Sequence, residues 1–265
     1  MNIPIALTIA GSDSSGGAGI EADLKTFSAL GVYGAAVITA LTAQNTKGVF
    51  AIHDVPAGFV TAQLDAVFGD LEVGAVKIGM LANAPTIEAV AAAFDRYRMR
   101  HVVLDPVLAA SSGERLLRGN ALGRLRDLIS RVDVVTPNLA EAAVLLDVAP
   151  ARDEDEMRAQ AQKLLSHGAG AVLIKGGHGS GPESVDFLVE AGGCLRLAAP
   201  RIATKNTHGT GCTLASAIAA GLAKGLSLEA AVREAKAYVS AAIAAAARLA
   251  VGRGRGPLHH FHAWW

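Results

Sequence analysis

Short apolar runs, each followed by a stretch with helical spacing, recur along the whole chain. This alternation limits the fold more than any single motif. The runs IPIALTIA (3–10), GAAVITAL (34–41), GAVKIGM (74–80), HVVLD (101–105), VDVVTPN (132–138) and AVLIKGG (171–177) are nearly continuous in apolar residues. Strands of that kind are buried on both faces, the mark of a parallel sheet covered by helices on each side. Helical patterns fall between them, at 18–31, 59–70, about 85–97 and about 120–130, and then over LAEAAVLLD and DEDEMRAQAQKLLSHG. The last opens on four acids and closes on His167 and Gly168, as the helix dipole and C-cap preferences favour. SVDFLVEAGGCLRLAAP (184–200) reads as a hairpin turning at Gly192-Gly193, an antiparallel addition to the sheet. Two long helices are expected to finish the chain, the second running to about 251. No linker, repeat or low-complexity tract interrupts the pattern. The expectation is one α/β domain over 1–265, a three-layer αβα arrangement with a mostly parallel central sheet and helices on both faces.

Charge and cysteine content exclude several functions. The 24 basic residues balance 24 acidic ones, so the chain has no electrostatic reason to bind nucleic acid or an anionic membrane. Cys194 and Cys212 form no CxxC pair, and no histidine stands at zinc-finger spacing from them. The start, MNIPIALTIAGSD, lacks a basic leader, and the Ala-rich VSAAIAAAARLAV is too short to span a bilayer. A cytoplasmic protein is expected.

In open α/β sheets, ligands bind outside the carboxyl ends of the strands. The unusual polar residues follow strands: GSDSSGG after 10, TAQN after 41, KIGM around 80, DPV after 104, TPN after 135 and KGGH after 174. They should converge on one edge. GSDSSGGAGIEADLK (11–25) is neither a Walker A loop nor GxGxxG. It reads either as a turn with a helix start or as a close wall around a small substrate. Asp23 lies early on the following helix, where an acid also suits the dipole. Gln44 offers a donor and an acceptor, as the edge of an aminopyrimidine or a pyridine would need. Asp105, at a strand end, would bind a metal or cap a turn. Asn138 and Glu141, three apart, would share one helix face. They would hold magnesium directly or through its waters, or serve only as N-cap and first-turn acid. Lys175 at a strand end suits a phosphate.

THGTGCT (207–213) carries the most chemistry. Gly209 and Gly211 let the backbone approach closely, and the N–H groups of 209–212 are expected to point at one spot, backed by the positive helix end. That is an anion hole suited to a phosphoryl group in transfer. Cys212 reads either as a small buried hydrophobe or as a thiol whose pKa the helix start lowers, ready to take a proton from an attacking hydroxyl.

AGSDSSGGAGIEADLKTFSALGVYG, VITALTAQNT, KIGML, VVLDPV, TPNLAEA, VLIKGGH, NTHGTGCTLASAIAA and GPLHHFHAWW follow one another over almost the whole chain. Together they closely resemble the bacterial hydroxymethylpyrimidine/phosphomethylpyrimidine kinases of thiamine biosynthesis, in the ribokinase-like superfamily. The resemblance implies an αβα kinase using ATP and magnesium. It would phosphorylate 4-amino-5-hydroxymethyl-2-methylpyrimidine and then its monophosphate at one site, as a homodimer. It implies that Gln44, Asp23, Gly11, Met80 and Val107 bind the pyrimidine and that Lys175 and Thr207 bind ATP. Asn138, Glu141 and Asp105 would serve magnesium, and Gly209, Gly211 and Cys212 the anion hole and catalysis. Sugar kinases of the superfamily carry an aspartate where Cys212 stands. Many relatives carry glutamine at Glu21 and lysine at Ser111, so a slower second phosphorylation is a further expectation. A pyridoxal or pyridoxine kinase is the alternative within the same branch. A non-catalytic pyrimidine-binding protein is the alternative outside it.

Overall fold

Buried strands need partners for every backbone group, and here they find them in one sheet. The computed structural model describes residues 3–110, 113–177 and 181–265. Its strands are β1 (Ile5–Asp13), β2 (Tyr33–Asn45), β3 (Gly48–Asp54), β4 (Ala75–Ile78), β5 (Val102–Leu104), β6 (Val134–Val135), β7 (Ala171–Lys175), β8 (Glu183–Glu190) and β9 (Gly193–Pro200). They lie in the order β3-β2-β1-β4-β5-β6-β7-β8-β9. The central six, from β2 to β7, are parallel, while β3, β8 and β9 add antiparallel pairings at the two edges.

The helices are α1 (Gly19–Ala29), α2 (Ala57–Phe68), α3 (Ala84–Arg96), α4 (Ala121–Ile129), α5 (Leu139–Leu146), α6 (Glu154–Leu165), α7 (Thr210–Ala223) and α8 (Leu228–Ala245). Alternate strand residues feed two cores. Leu7, Ile9, Val76 and Ile78 pack with Leu64, Val90, Leu128 and Leu164 from α2, α3, α4 and α6. Ala6, Ala75, Val103 and Leu173 face Phe27, Ile218 and Val232 from α1, α7 and α8. Helices therefore cover both faces, as the αβα expectation required. Every residue of α7 from Thr213 to Leu222 is buried. A helix that is apolar all round must be enclosed, and α7 is wedged between the sheet and its neighbours α1 and α8. No helix among the described residues is long and apolar enough to cross a membrane.

Several boundaries differ from the sequence reading. Strands β1 and β2 run on to Asp13 and Asn45, past the expected ends at 10 and 41. Strand β3 was not expected; its apolar run, Val49 to Ile52, is short and follows β2 after a two-residue turn. The hairpin turns at Ala191-Gly192, one residue early, since Glu190 pairs with Gly193. The final helix ends at Ala245 and a 3-10 turn over Ala246–Arg248, short of 251. Gly252, Gly254 and Gly256 follow, and this segment runs back over the sheet end, where the His208 N–H donates to the Gly256 carbonyl at 3.0 Å.

At Gly221 an added Cβ would lie 2.9 Å from the Ala231 Cβ and 3.1 Å from its Cα, so α7 and α8 touch backbone to backbone. Gly221→Val should destabilise by about 1–3 kcal/mol through overpacking. Thermal unfolding should show a Tm lowered by several degrees; an unchanged Tm would mean the helices part without cost.

Candidate active site

The chain leaves β1 for β2 on one side and later reaches β4 on the other, so a crevice must open above β1 at the carboxyl ends of the strands. A cleft of about 1520 Å³ lies there. Gly11, Gln44, Met80, Asp105, Val107, Asn138, Glu141, Lys175, Thr207, Gly209, Gly211 and Cys212 all line it. Ser111 and His178 lie outside the described residues.

The start of α7 shapes one wall. Gly209 is its N-cap with φ +80°, and an added Cβ would fall 1.9 Å from the Gly17 carbonyl oxygen. Only glycine fits, both for the left-handed backbone and for the contact. The expected set of four converging N–H groups is reduced by one. Thr210 N–H donates to the Thr207 carbonyl at 3.3 Å. Those of Gly209, Gly211 and Cys212 have no backbone acceptor among the described residues. Gly211 sits against the charged groups: a Cβ there would lie 3.3 Å from Lys175 Nζ and 3.5 Å from Asp105 Oδ2.

Lys175 Nζ pairs with Asp105 Oδ1 at 2.8 Å and lies 4.0 Å from Glu141 Oε2. Burial pulls the lysine pKa down, but Asp105 and then Glu141 outweigh it and hold it above its usual value. Burial raises Glu141 to about 7; Lys175 opposes this and Asp105 reinforces it. Asn138 and Glu141 do meet, but as a reciprocal capping box at the start of α5, with Glu141 N–H on Asn138 Oδ1 at 2.9 Å and Asn138 N–H on Glu141 Oε2 at 2.7 Å. Asn138 Oδ1 is thereby committed to the helix. No three acidic, histidine or cysteine side chains cluster as a metal cage among the described residues. The donor set nonetheless fits a hydrated magnesium ion. Two carboxylates face one ammonium, their oxygens are hard donors, and a divalent cation would offset the negative charge that Lys175 leaves unbalanced.

Asp23 is a correction. It is fully buried, does not line the cleft, and accepts from Thr8 Oγ1 at 2.6 Å, Ser216 Oγ at 2.7 Å and Lys77 Nζ at 2.7 Å. With its oxygens so occupied it cannot contact a substrate; it holds Lys77. Lys77 is itself fully buried within the β4 apolar run and reaches the cleft beside Cys212. Burial lowers its pKa, but Asp23 and then Cys212 and Asp105 raise it, so it stays charged. A lysine inside a continuous apolar strand was the signal for this pair. Glu21 also acts locally, accepting from Ser12 Oγ at 2.5 Å and from the Asp13 N–H at 2.7 Å.

For Cys212 the structure favours the buried reading of the thiol's charge over the lowered one. The residue is partly accessible from the cleft, yet burial pushes the thiol up to about 11. Lys77 pulls it down, Asp23 and Asp105 push it up, and the Gly19 N–H pulls it down again. The positive helix start does not prevail over burial and two carboxylates, so the thiol is held neutral near pH 7.

Sequence reasoning missed a second buried pair as well. His208 Nε2 lies 2.7 Å from Asp13 Oδ2, and both side chains are almost wholly buried. Gln44 ends beside them, its Nε2 3.4 Å from His208 Nε2 and its Oε1 3.1 Å from Thr42 Oγ1. A histidine inside the glycine loop was the available signal.

A parallel αβα sheet, a cleft at its switch point and a glycine-rich helix start facing a lysine define a small-molecule kinase of the ribokinase-like type. The family model described as phosphomethylpyrimidine kinase matches residues 13–259, and the chain belongs to that family. The hydroxymethylpyrimidine/phosphomethylpyrimidine kinase of Rhizobium meliloti (strain 1021) is 60% identical over 262 residues, covering 98% of each chain. An ADP complex of Bacillus subtilis pyridoxal kinase superposes with a TM-score of 0.90 at 34% identity, over 99% of each chain. A phosphomethylpyrimidine kinase from Clostridium difficile 630 superposes with a TM-score of 0.80 at 42% identity, over 90% of this chain and 99% of that one.

A thiol held at about 11 has a checkable consequence. Only the thiolate alkylates, and the folded pKa stands above the ordinary value. In a Cys194→Ser background, alkylation of Cys212 by iodoacetamide should be slow at pH 7 and still climbing above pH 9. A plateau between pH 7 and 8 would show that the helix start controls the thiol after all.

Proposed function

We propose that the protein transfers the γ-phosphoryl group of ATP to the hydroxymethyl oxygen of 4-amino-5-hydroxymethyl-2-methylpyrimidine and then to the resulting monophosphate. The observation that carries this reading is the cleft wall formed by the start of α7, where Gly211 lies against Lys175 and the Gly209, Gly211 and Cys212 N–H groups have no backbone acceptor among the described residues, with Gln44, Met80 and Val107 lining the same cleft. The full-length identity to a pyrimidine kinase supports the pyrimidine over other small alcohols.

In each transfer the substrate oxygen attacks the γ-phosphorus, the bond to the bridging oxygen breaks and ADP departs. Negative charge spreads over the phosphoryl oxygens. The three N–H groups and the positive end of α7 stabilise that charge, and Lys175 neutralises it as a point charge. Lys175 and Thr207 are the ATP contacts in this reading. Glu141, Asp105 and, through water, Asn138 would hold magnesium, which supplies further positive charge next to the phosphates. Gln44 binds the ring edge, and Gly11, Met80 and Val107 pack on its faces. Met80 lies close beneath Gly11, where an added Cβ would sit 3.1 Å from its sulfur. Cys212 sits next to the reacting hydroxyl and takes its proton through the ionised fraction of the thiol. The assembly proposed is a homodimer of 1–265, one domain per chain, working in the cytoplasm.

The likeness to pyridoxal kinase gives a second reading a specific basis, with pyridoxal as a side substrate. Steady-state kinetics separate the two. The expected kcat/KM for hydroxymethylpyrimidine exceeds that for pyridoxal; the reverse order would overturn the main reading. Cys212→Ala should lower kcat by about 10²–10⁴-fold, the usual worth of general acid–base help, with little change in pyrimidine affinity. Gln44→Ala should raise the pyrimidine KM by about tenfold, the worth of a lost hydrogen bond, while the KM for ATP holds.

A further inference from the structure

The two ends of the Gln44 carboxamide meet groups of opposite character, and that decides which way round the amide lies. Thr42 Oγ1 is 2.9 Å from the Ser12 carbonyl oxygen and 3.1 Å from Gln44. A hydroxyl has one hydrogen, and a carbonyl oxygen can only accept. The hydrogen goes to Ser12, the nearer partner, so Thr42 meets Gln44 as an acceptor.

At the other end stands His208. Asp13 accepts from Ser15 N–H at 2.9 Å, Ser15 Oγ at 2.8 Å, Gly17 N–H at 3.2 Å and Ala18 N–H at 2.9 Å. Burial raises its pKa, but the bonds from His208 and Ser15 outweigh this and hold it below the usual carboxylate range. Asp13 is therefore ionised, and His208 Nε2, 2.7 Å from its Oδ2, must carry a hydrogen. With Gln44 Nε2 placed 3.4 Å from His208 Nε2, N–H would face N–H. The oxygen and nitrogen of a carboxamide are told apart by their partners. The partners here require the reverse orientation, with the amide oxygen toward His208 and the NH₂ toward Thr42.

We infer that Asp13, His208 and Thr42 are positioning residues that lock the Gln44 carboxamide in one orientation, so that the cleft selects a ring bearing an exocyclic amino group beside a ring nitrogen. In that orientation Gln44 keeps one oxygen lone pair and one N–H for a ligand. The free acceptor takes an amino hydrogen, and the free donor serves the adjacent ring nitrogen. A freely rotating amide would turn over and accept equally well a ring with the reverse pattern, a carbonyl oxygen beside a ring N–H. A fixed one leaves its oxygen unmatched by such a ring, and a polar group built to be paired penalises the ligand that cannot pair it.

This inference rests on the pyrimidine-kinase reading, and the test separates the two. Calorimetric binding of 4-amino-5-hydroxymethyl-2-methylpyrimidine and of its 4-oxo analogue, in which a carbonyl oxygen stands beside a ring N–H, would be measured for the wild type, Thr42→Val and His208→Phe. The phenyl ring removes the N–H but fills the space, and Asp13 keeps its donors from Ser15, Gly17 and Ala18. The wild type should bind the amino ring at least about tenfold more tightly than the analogue. In both variants that preference should collapse toward equality, because the amide is free to turn. A variant that merely loosens the loop would weaken both ligands together and leave the ratio intact. An unchanged ratio in both variants would overturn the inference alone. If the wild type bound neither ring, the kinase reading would fall as well.

Discussion

At Gly209 the chain passes so close to Gly17 that no side chain fits between them, and the start of α7 is thereby docked onto the loop that follows β1. The consequences run through the whole cleft. The contact sets Gly211 against Lys175 and Asp105, and Cys212 beside Lys77. It also brings His208 onto Asp13, 195 positions away in sequence. The loop is held from its far side too, where the His208 N–H bonds Gly256 and Thr213 Oγ1 meets His260 Nε2 at 3.0 Å. A phosphoryl-binding wall needs its donors fixed before the reaction, since reorganisation during transfer would cancel their benefit. Two loops and the C-terminal segment clamp this one.

Charges behind that wall alternate in a way that burial alone would not permit. Asp23 and Lys77 neutralise each other in a fully buried setting, and Thr8 and Ser216 satisfy the remaining carboxylate capacity. A buried ion pair adds little net stability, whereas a lone buried lysine would be costly. Its worth here is local: a fixed positive charge next to the thiol, partly offsetting the burial that raises it. On the other side, Asp105 and Glu141 surround Lys175 and leave the group short of positive charge. Nucleotide phosphates would bring more negative charge to the same place, which in the proposed reading a magnesium ion arriving with ATP would offset.

The architecture was legible because its signals are local and repeated. Continuous apolar runs at 5–10, 75–78, 102–104 and 171–175 could only be buried strands, and the convergence of the polar residues that follow them is a property of parallel sheets. Strand β3 was missed because its apolar run, Val49 to Ile52, is only four residues long and follows β2 after a two-residue turn. Among site residues, Gln44, Lys175 and the THGTGC loop were readable as lining the cleft, while their roles came from the family resemblance. Asp23 was not, since an acid early on α1 has the same sequence signature whether it faces the cleft or Lys77. The Cys212 thiol was left between two readings for a related reason: the helix start is visible in sequence, but the depth of burial and the carboxylates brought in by folding are not. The Asp13–His208 pair belongs to two loops at opposite ends of the chain, and only the folded sheet joins them.

The account stands on phosphoryl transfer to a pyrimidine alcohol at the α7 wall. Its most direct test is ³¹P NMR of the purified protein incubated with ATP, magnesium and 4-amino-5-hydroxymethyl-2-methylpyrimidine. The account predicts that a phosphomonoester signal appears with ADP and then gives way to a pyrophosphate ester. ADP and inorganic phosphate with no phosphorus signal attached to the pyrimidine would contradict it.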